Sequence, residues 1–466
     1  MLGLFGVLNL GTRSLATQRA GVEVAGQNLA NVNNPAYARQ RLAIETSLSV
    51  SSPYGPQGTG ADAVAIQQIR NGFVDQQING ELSVGGYLGA QQDALNYAQA
   101  SLGEVLDLNG EAGDGTGLST DLNNLFAAFQ SVSTSPGSLT ERQLLVAKAE
   151  DLASHLNQVD QRLSNLNTSL NQSLESDVAG ANELLAAIAD LNDLIINTEN
   201  SAGGAANDLR DLRQSKLEEL SKLVKVDASE SASGGLNISV NGNTLVSDKN
   251  VLDTLQTYDA GGGQMLVRTA TSGTPLALSG GHIQGVIDVR DGTLATMRDQ
   301  MDTLAATLIS EVNAAHSGGF ALNGATGAAF FTGTDAASIQ VNSALVNDPS
   351  LLQISGTAGN AGDNQVGLIL AQLAEKKIPT LNNQTLNQNY SSTVAQLGQA
   401  LNSVNERAAD QQVVGTMLMK QRASLSGVSI DEEMSDLMKF QTAFQASARL
   451  ITTVDEMLET LVNMKR

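Results

Sequence analysis

The chain has no cysteine and no tryptophan, and only 3% of its 466 residues are aromatic. Without cysteine there are no disulfides, thiolate metal sites or cysteine nucleophiles, and the chain can be exported without redox chemistry. With so few rings, Leu, Val, Ile and Ala must do the packing, which suits long, thin helical bundles. No apolar run approaches the roughly 20 residues of a transmembrane helix, so membrane insertion is not expected. Positive charge is also scarce. Lys and Arg number 26 against 48 Asp and Glu, giving a net charge of -22. Such a surface repels nucleic acid and anionic membrane, and neither is expected as a partner. The first 50 residues run against this trend, with Arg13, Arg19, Arg39 and Arg41 facing only Glu23 and Glu45. That basic start resembles a targeting segment but lacks a continuous apolar core and a small-residue cleavage site, and an ordinary helix face accounts for it equally well.

Catalytic constellations are missing too. The three histidines, His155, His282 and His316, lie far apart. His155 sits beside a helical seam, His282 follows a Gly-Gly turn, and His316 lies near a helix end where a cation suits the dipole. Gly113-Asp114-Gly115-Thr116-Gly117 lacks the lysine and the preceding strand of a phosphate loop and reads as a connector. Asp431-Glu432-Glu433 reads as first-turn carboxylates of a helix, with Ser429 as N-cap and Glu432 as its capping-box partner. No Gly-x-Ser-x-Gly elbow and no His-Glu-x-x-His occur. No catalytic residue, metal or cofactor is therefore expected, and the chain reads as a non-enzyme.

What is present is helical periodicity at both ends. Leu8, Leu15, Val22 and Leu29 repeat every seven residues, with Leu4, Gly11, Ala25 and Val32 between them. Leu437, Phe440, Phe444, Ile451, Val454, Leu458 and Leu461 fall at three- and four-residue spacing near the other end. Each set forms one stripe on a helix, and a stripe needs a partner. The two may pair within the chain or with other copies. Asn33-Asn34-Pro35 ends the first helix. Residues 36–70 suggest short strands around Pro53-Tyr54-Gly55-Pro56, followed by a helix from Gly72 to about Leu108, a loop at Asn109–Gly115 and a short helix over 119–132. The strongest seam steps by four and three from Leu145 through Leu170 to Ile195. The period then changes. Leu236, Ile238 and Val240 alternate with polar residues ahead of an Asn241-Gly242 turn. Helices return over 283–315, 364–376 and 386–425, and Ser426-Gly427 forms a hinge. The predicted fold is mainly α with inserted β, in an elongated, nested subunit. Residues 1–60 with 426–466 form a terminal α-helical assembly domain, 61–225 with 283–425 a helical body, and 226–282 an inserted β domain, with 317–361 a candidate for further β structure.

Two segments carry a specific resemblance. Asn28-Leu29-Ala30-Asn31-Val32-Asn33-Asn34-Pro35-Ala36-Tyr37 resembles the N-terminal signature of the flagellar rod, hook and hook-associated axial proteins, with Ala36 where Gly is usual. Val428 through Glu433-Met434, continuing past Phe440-Gln441, looks like the C-terminal signature of the same family. The family motif thus maps onto Asn28, Asn31, Pro35, Tyr37, Glu433, Met434 and Gln441. The interior runs Asn207–Arg213, Ser279–Arg290 and Phe330-Phe331 are similar to the branch that forms the hook–filament junction. The resemblance implies a structural subunit of the bacterial flagellum, exported without a cleaved signal peptide. It implies an extracellular location and assembly as a ring of identical copies. It also implies contacts with the hook protein, with a second junction protein (hook-associated protein 3), and with a flagellar export chaperone holding the last helix. Phe440, Phe444, Ile451 and Leu458 are the natural anchors for that chaperone. Hook or distal-rod protein is the nearest alternative. A secreted enzyme or effector would need a convergent polar site that the sequence does not show.

Overall fold

A computed structural model describes residues 3–52, 55–103 and 117–464. The first helix, α1, spans Leu4–Ala30 and leads into four short strands, β1 (Gln40–Thr46), β2 (Ser49–Ser52), β3 (Gly55–Gly58) and β4 (Ala61–Gln68). Helices α2 (Gly72–Leu102), α3 (Leu118–Thr134), α4 (Leu139–Ala202) and α5 (Asn207–Leu223) follow. A β-rich insertion holds β5 (Asp227–Glu230), β6 (Leu236–Val240), β7 (Asn243–Ser247), β8 (Asn250–Val251), β9 (Leu255–Asp259) and β10 (Met265–Thr269). The chain then returns through α6 (Gly281–Asp288), a π-helical stretch over Val289–Leu294, and α7 (Ala295–His316). Two-residue strands β11 (Phe331–Thr332) and β12 (Gln340–Val341), short helices α8 (Ser343–Asn347) and α9 (Gln365–Gln372), and long helices α10 (Leu386–Ser426) and α11 (Ile430–Asn463) complete it. The fold is mainly α with inserted β.

The spine is α4. At 64 residues it extends about 95 Å, since an α-helix rises 1.5 Å per residue. Ser138 caps its start by accepting from the Glu141 N–H, and Gly203, in the left-handed region at φ 68°, ends it. Leu145, Leu152, Leu156, Val159, Leu163, Leu174, Leu185 and Ile188 are all buried on one stripe, together with α3, α7 and α10 residues such as Phe129, Leu308 and Tyr390. The seam therefore runs as its three-and-four spacing dictates, with one adjustment. Leu185 is fully buried, whereas its neighbour Leu184 is only partly covered.

The insertion behaves as the change of period predicts. Strands β5 to β8 form an antiparallel four-stranded meander, and β9 pairs with β10. The turn Asn241-Gly242 has both residues at positive φ, 47° and 79°, the geometry that tight two-residue hairpins need. The sheet does not hang free from the body. On α4, Asn182 exchanges two 2.8 Å hydrogen bonds with the backbone of Leu255, and Asn192 donates to the carbonyls of Leu236 and Asp248. Amide side chains thus satisfy the strand ends against the helix. Residues 317–361 hold little β structure. Their core is the buried pair Phe330 and Phe331, stacked edge-on at 4.8 Å, with His316 against Phe330.

Several expectations change in detail. Helix α2 ends at Leu102, capped by left-handed Gly103. The loop expected at Asn109–Gly115 and the turn residues Pro53 and Tyr54 lie outside the described residues. His316 does stand at a helix end, closing α7, but it is not the cation that would suit the dipole. It is fully buried, its Nδ1 against the Ala328 carbonyl and its Nε2 accepting from the Gln353 N–H. Burial, with the nearby Arg142 charge, pushes it down to about 4, so it is neutral. Ser429 does stand at the N-cap of α11, but its side chain makes no capping hydrogen bond. Glu432 is instead drawn to Arg39, so the expected capping box is not formed. A capping box occurs at α10, where Thr385 and Gln388 bond reciprocally at 3.2 Å.

Candidate assembly arm at the paired ends

Helices α1 and α11 lie antiparallel and form an arm. The register follows from matching positions along the two helices. Asn28 meets Glu433, Gly21 meets Phe440, Ser14 meets Ser447, and Gly11 meets Ile451. Each partner set steps by seven residues apart from the last pair, as an a/d seam requires. The glycines set the depth of contact. A Cβ on Gly21 would lie 2.5 Å from the Phe440 ring, and one on Gly11 would lie 2.8 Å from Ile451 Cγ1. The two bulky side chains therefore seat in notches that only glycine leaves open.

This moves the seam by one residue from the sequence expectation. The buried residues of α1 are Gly11, Thr17, Gly21, Val24, Ala25 and Asn28. Leu8, Leu15, Val22 and Leu29 are half-buried along the flank of that face. The expected stripe put the leucines at its centre, whereas the buried face of α1 runs mainly through small and polar residues, Gly11 and Ala25 of that stripe among them, and the leucines sit beside it. The opposite flank of α1 packs on the β1–β4 pair, where Thr17 donates to the Ala61 carbonyl and Arg13 pairs with Asp62 at 3.2 Å. On α11, Val454 is buried, while Leu437, Phe440, Phe444, Ile451 and Leu458 are half-buried and Leu461 is exposed.

The arm is fastened to the body by a polar joint built from the sequence motifs. Asn28 is buried and saturated. Its amide donates to the Gln40 carbonyl and to Glu433 Oε2, both at 2.9 Å, while its oxygen accepts from the Gln40 N–H at 2.9 Å and the Tyr37 hydroxyl at 2.8 Å. Glu433, 3% exposed, also pairs with Arg39 at 2.6 Å, and Arg39 reaches Glu432 at the same distance. Burial opposes the Arg39 charge, but Glu433 and Glu432 outweigh it and raise its pKa. Burial, helped by Asp208, Asp211 and Glu433, pushes the Tyr37 phenol up, so it stays a donor. Asn31 donates back to the Gln27 carbonyl at 3.0 Å, in the turn that leads to the exposed Pro35. Met434 and Gln441 face outward and take no part in the joint.

The body side of the joint is the start of α5. Asp211 accepts from the Ala38 N–H at 3.2 Å and from Gln68 and Arg70 at 2.7 Å each, and Gln40 donates to Asp208 at 3.0 Å. Asn207 donates to the Ile66 carbonyl at 3.0 Å. Burial pushes the Asp211 carboxyl up to about 6 against the pull of the Ala38 N–H and Arg70. Sequence reasoning singled out Asn207–Arg213 as a resemblance without a role. Its signal was the i, i+4 spacing of Asn207 and Asp211, which puts both on one face of α5. Among the described residues, no group of three or more His, Asp or Glu is placed to hold a metal ion, and no helix is long and apolar enough to cross a membrane.

Comparison with known proteins adds names to this geometry. Residues 104–331 match the family described as the flagellar hook-associated protein FlgK helical domain, and residues 420–464 match the flagellar basal body rod FlgEFG protein C-terminal family. Flagellar hook-associated protein 1 of Bacillus subtilis is 26% identical, over 99% of each chain. This chain belongs to the flagellar hook-associated protein 1 family. The Escherichia coli and Salmonella typhimurium members are each 22% identical, over 98% of this chain and the whole of theirs. The hook junction protein FlgK of Burkholderia pseudomallei has the same fold, with a TM-score of 0.62 at 16% identity over 75% of this chain and all of that one. The rod-type C-terminal match falls on the end of α10 and on α11, the arm helix that carries Glu433 and Phe440.

Proposed function

We propose that this chain is a structural subunit of the bacterial flagellum that forms the junction between hook and filament, exported and then assembled through its paired terminal helices. The observation that carries the reading is the arm. Two chain ends more than 400 residues apart in sequence meet in a defined register at a saturated polar joint made from the family's signature residues. A catalytic subunit has no need of such a joint, whereas a subunit that must present both ends to its neighbours does. Copies in a ring contact one another through unlike surfaces, and the two axial faces then meet different proteins, the hook protein on one side and hook-associated protein 3 on the other.

Export bears on the arm as well. With α1 unpaired, Phe440, Phe444, Ile451 and Leu458 expose an apolar stripe, which a chaperone groove accepting an amphipathic helix would cover. Since Phe440 and Ile451 fill the glycine notches of α1 in the folded chain, chaperone and α1 compete for one face of α11. Deleting the gene tests the function. Loss of the filament with the hook retained, and flagellin released into the medium, is the expected result. Loss of the hook itself would replace this reading with a hook or distal-rod role.

A further inference from the structure

A groove of about 1200 Å³ runs between α2 and α10, and its lining is mostly apolar. Three glycines inside helices open it, Gly85 and Gly89 on one wall and Gly415 on the other. Each weakens its helix by roughly 1 kcal/mol relative to alanine. Nothing among the described residues requires them. A Cβ on Gly89 or Gly415 would meet nothing within 4 Å, and one on Gly85 would only touch Gln411 at 4.0 Å. Gly86, between them, is different, because a side chain there would strike the Lys222 carbonyl. The groove is also continuous with the root of the arm. It shares Met419 and Ala423 with the hollow between the α1–β1 turn and the α10–α11 break.

An exposed apolar ridge stands at the start of α11, just past the α10–α11 break. Ile430, Met434 and Met438 step by four residues along the start of α11 and are 53%, 42% and 58% exposed. They are exposed and lie beside the face that meets α1, whose contacts are made by Glu433 and Phe440. Gly85 and Gly89 share the same four-residue step, so an i±4 ridge can enter an i±4 groove. Methionine suits this role, because its unbranched side chain adapts to an irregular groove. We propose that the α2–α10 groove receives the Ile430–Met434–Met438 ridge of a neighbouring copy of this chain. Groove and ridge are unlike surfaces, so one copy can offer its ridge to one neighbour and its groove to another, and a contact made head-to-tail in this way passes from copy to copy around a ring. The inference rests on the junction-subunit reading and specifies its lateral contact.

The chain's lack of cysteine makes the test clean. Gly89→Cys carrying benzophenone maleimide is expressed in place of the native chain, and isolated flagella are irradiated. The expected product is a band of doubled mass whose cross-linked peptide comes from residues 430–438 of a second copy. Met438→Glu added to the same chain should abolish that band and leave the thermal midpoint of the isolated protein unchanged. Cross-links to another protein, to another part of the chain, or to nothing while the chain is present in the flagella, overturn the proposed contact and leave the junction role standing. Absence of the unsubstituted chain from isolated flagella overturns the junction role itself.

Discussion

Gly21 shows how much a single hydrogen atom can decide. The Phe440 ring occupies the space where any other residue would place its Cβ. Gly21→Ala should therefore loosen the arm by about 1 to 3 kcal/mol, the usual cost of overpacking. Combining it with Phe440→Ala should recover part of that loss, which a double-mutant cycle on thermal unfolding would reveal. Asn28 is the polar counterpart. Asn28→Ala strips a buried donor from Glu433 and a partner from Tyr37 and Gln40, and should cost about 1 to 3 kcal/mol. It should also speed amide exchange at Gln40, whose N–H bonds to Asn28 Oδ1. His316 gives a pH signature. Its folded pKa is depressed from 6.5 to about 4. The unfolded chain therefore binds a proton that the folded chain refuses, and stability present above pH 6.5 is lost as pH falls toward 4. The full swing is roughly 3 kcal/mol. Thermal midpoints measured between pH 7 and 4 should fall less steeply in His316→Gln. The histidine's burial was not readable from the chain, because its partners Ala328 and Gln353 are backbone groups of a loop.

At the scale of elements, the arm and the spine differ in how they are held. Helix α4 buries a continuous leucine stripe, whereas α1 and α11 meet through glycines, serines and the buried Asn28–Glu433 hydrogen bond, with their seam-flanking leucines at best half covered. Opening the arm exposes far less apolar surface than opening the spine. Amide exchange in the isolated protein should accordingly be fast over α1 and α11 and slow over α4. Equal protection in the two regions would contradict the reading of the arm as an element completed by assembly. Helix α10 gives a separate check. Thr385→Ala removes its capping box and should lower stability by about 1 kcal/mol. The long helices were legible, because periodicity is a property of the chain, whereas the five-residue α8 lies in a stretch the sequence marked for strand. Seam register at the ends was not. The heptad of Leu8, Leu15, Val22 and Leu29 is real, but a pattern of large apolar residues cannot show that the helix meets its partner through the smaller residues beside it. The capping box likewise followed the local rule at Thr385, while Arg39, distant in sequence from α11, drew Glu432 away from Ser429.

For the whole molecule, the composition already limited the outcome. The lack of cysteine excludes disulfides, the few rings leave most packing to aliphatic residues, and strong acidity disfavours nucleic acid as a partner. Helix positions, the β insertion and the Asn241-Gly242 turn follow from period and turn chemistry, which act between residues close in the chain. The signature segments were legible as a family mark. Their purpose was not. Asn28, Tyr37, Arg39 and Glu433 acquire a shared role only when α11 folds back on α1, and Asp208 and Asp211 join them only when α5 docks beneath. The α2–α10 groove likewise exists only between two helices separated by nearly 300 residues. Local forces thus wrote the elements into the sequence. Which faces meet, which carboxylate finds which arginine, and where glycine leaves room for a neighbour depend on contacts between distant segments, and only the tertiary structure decided them.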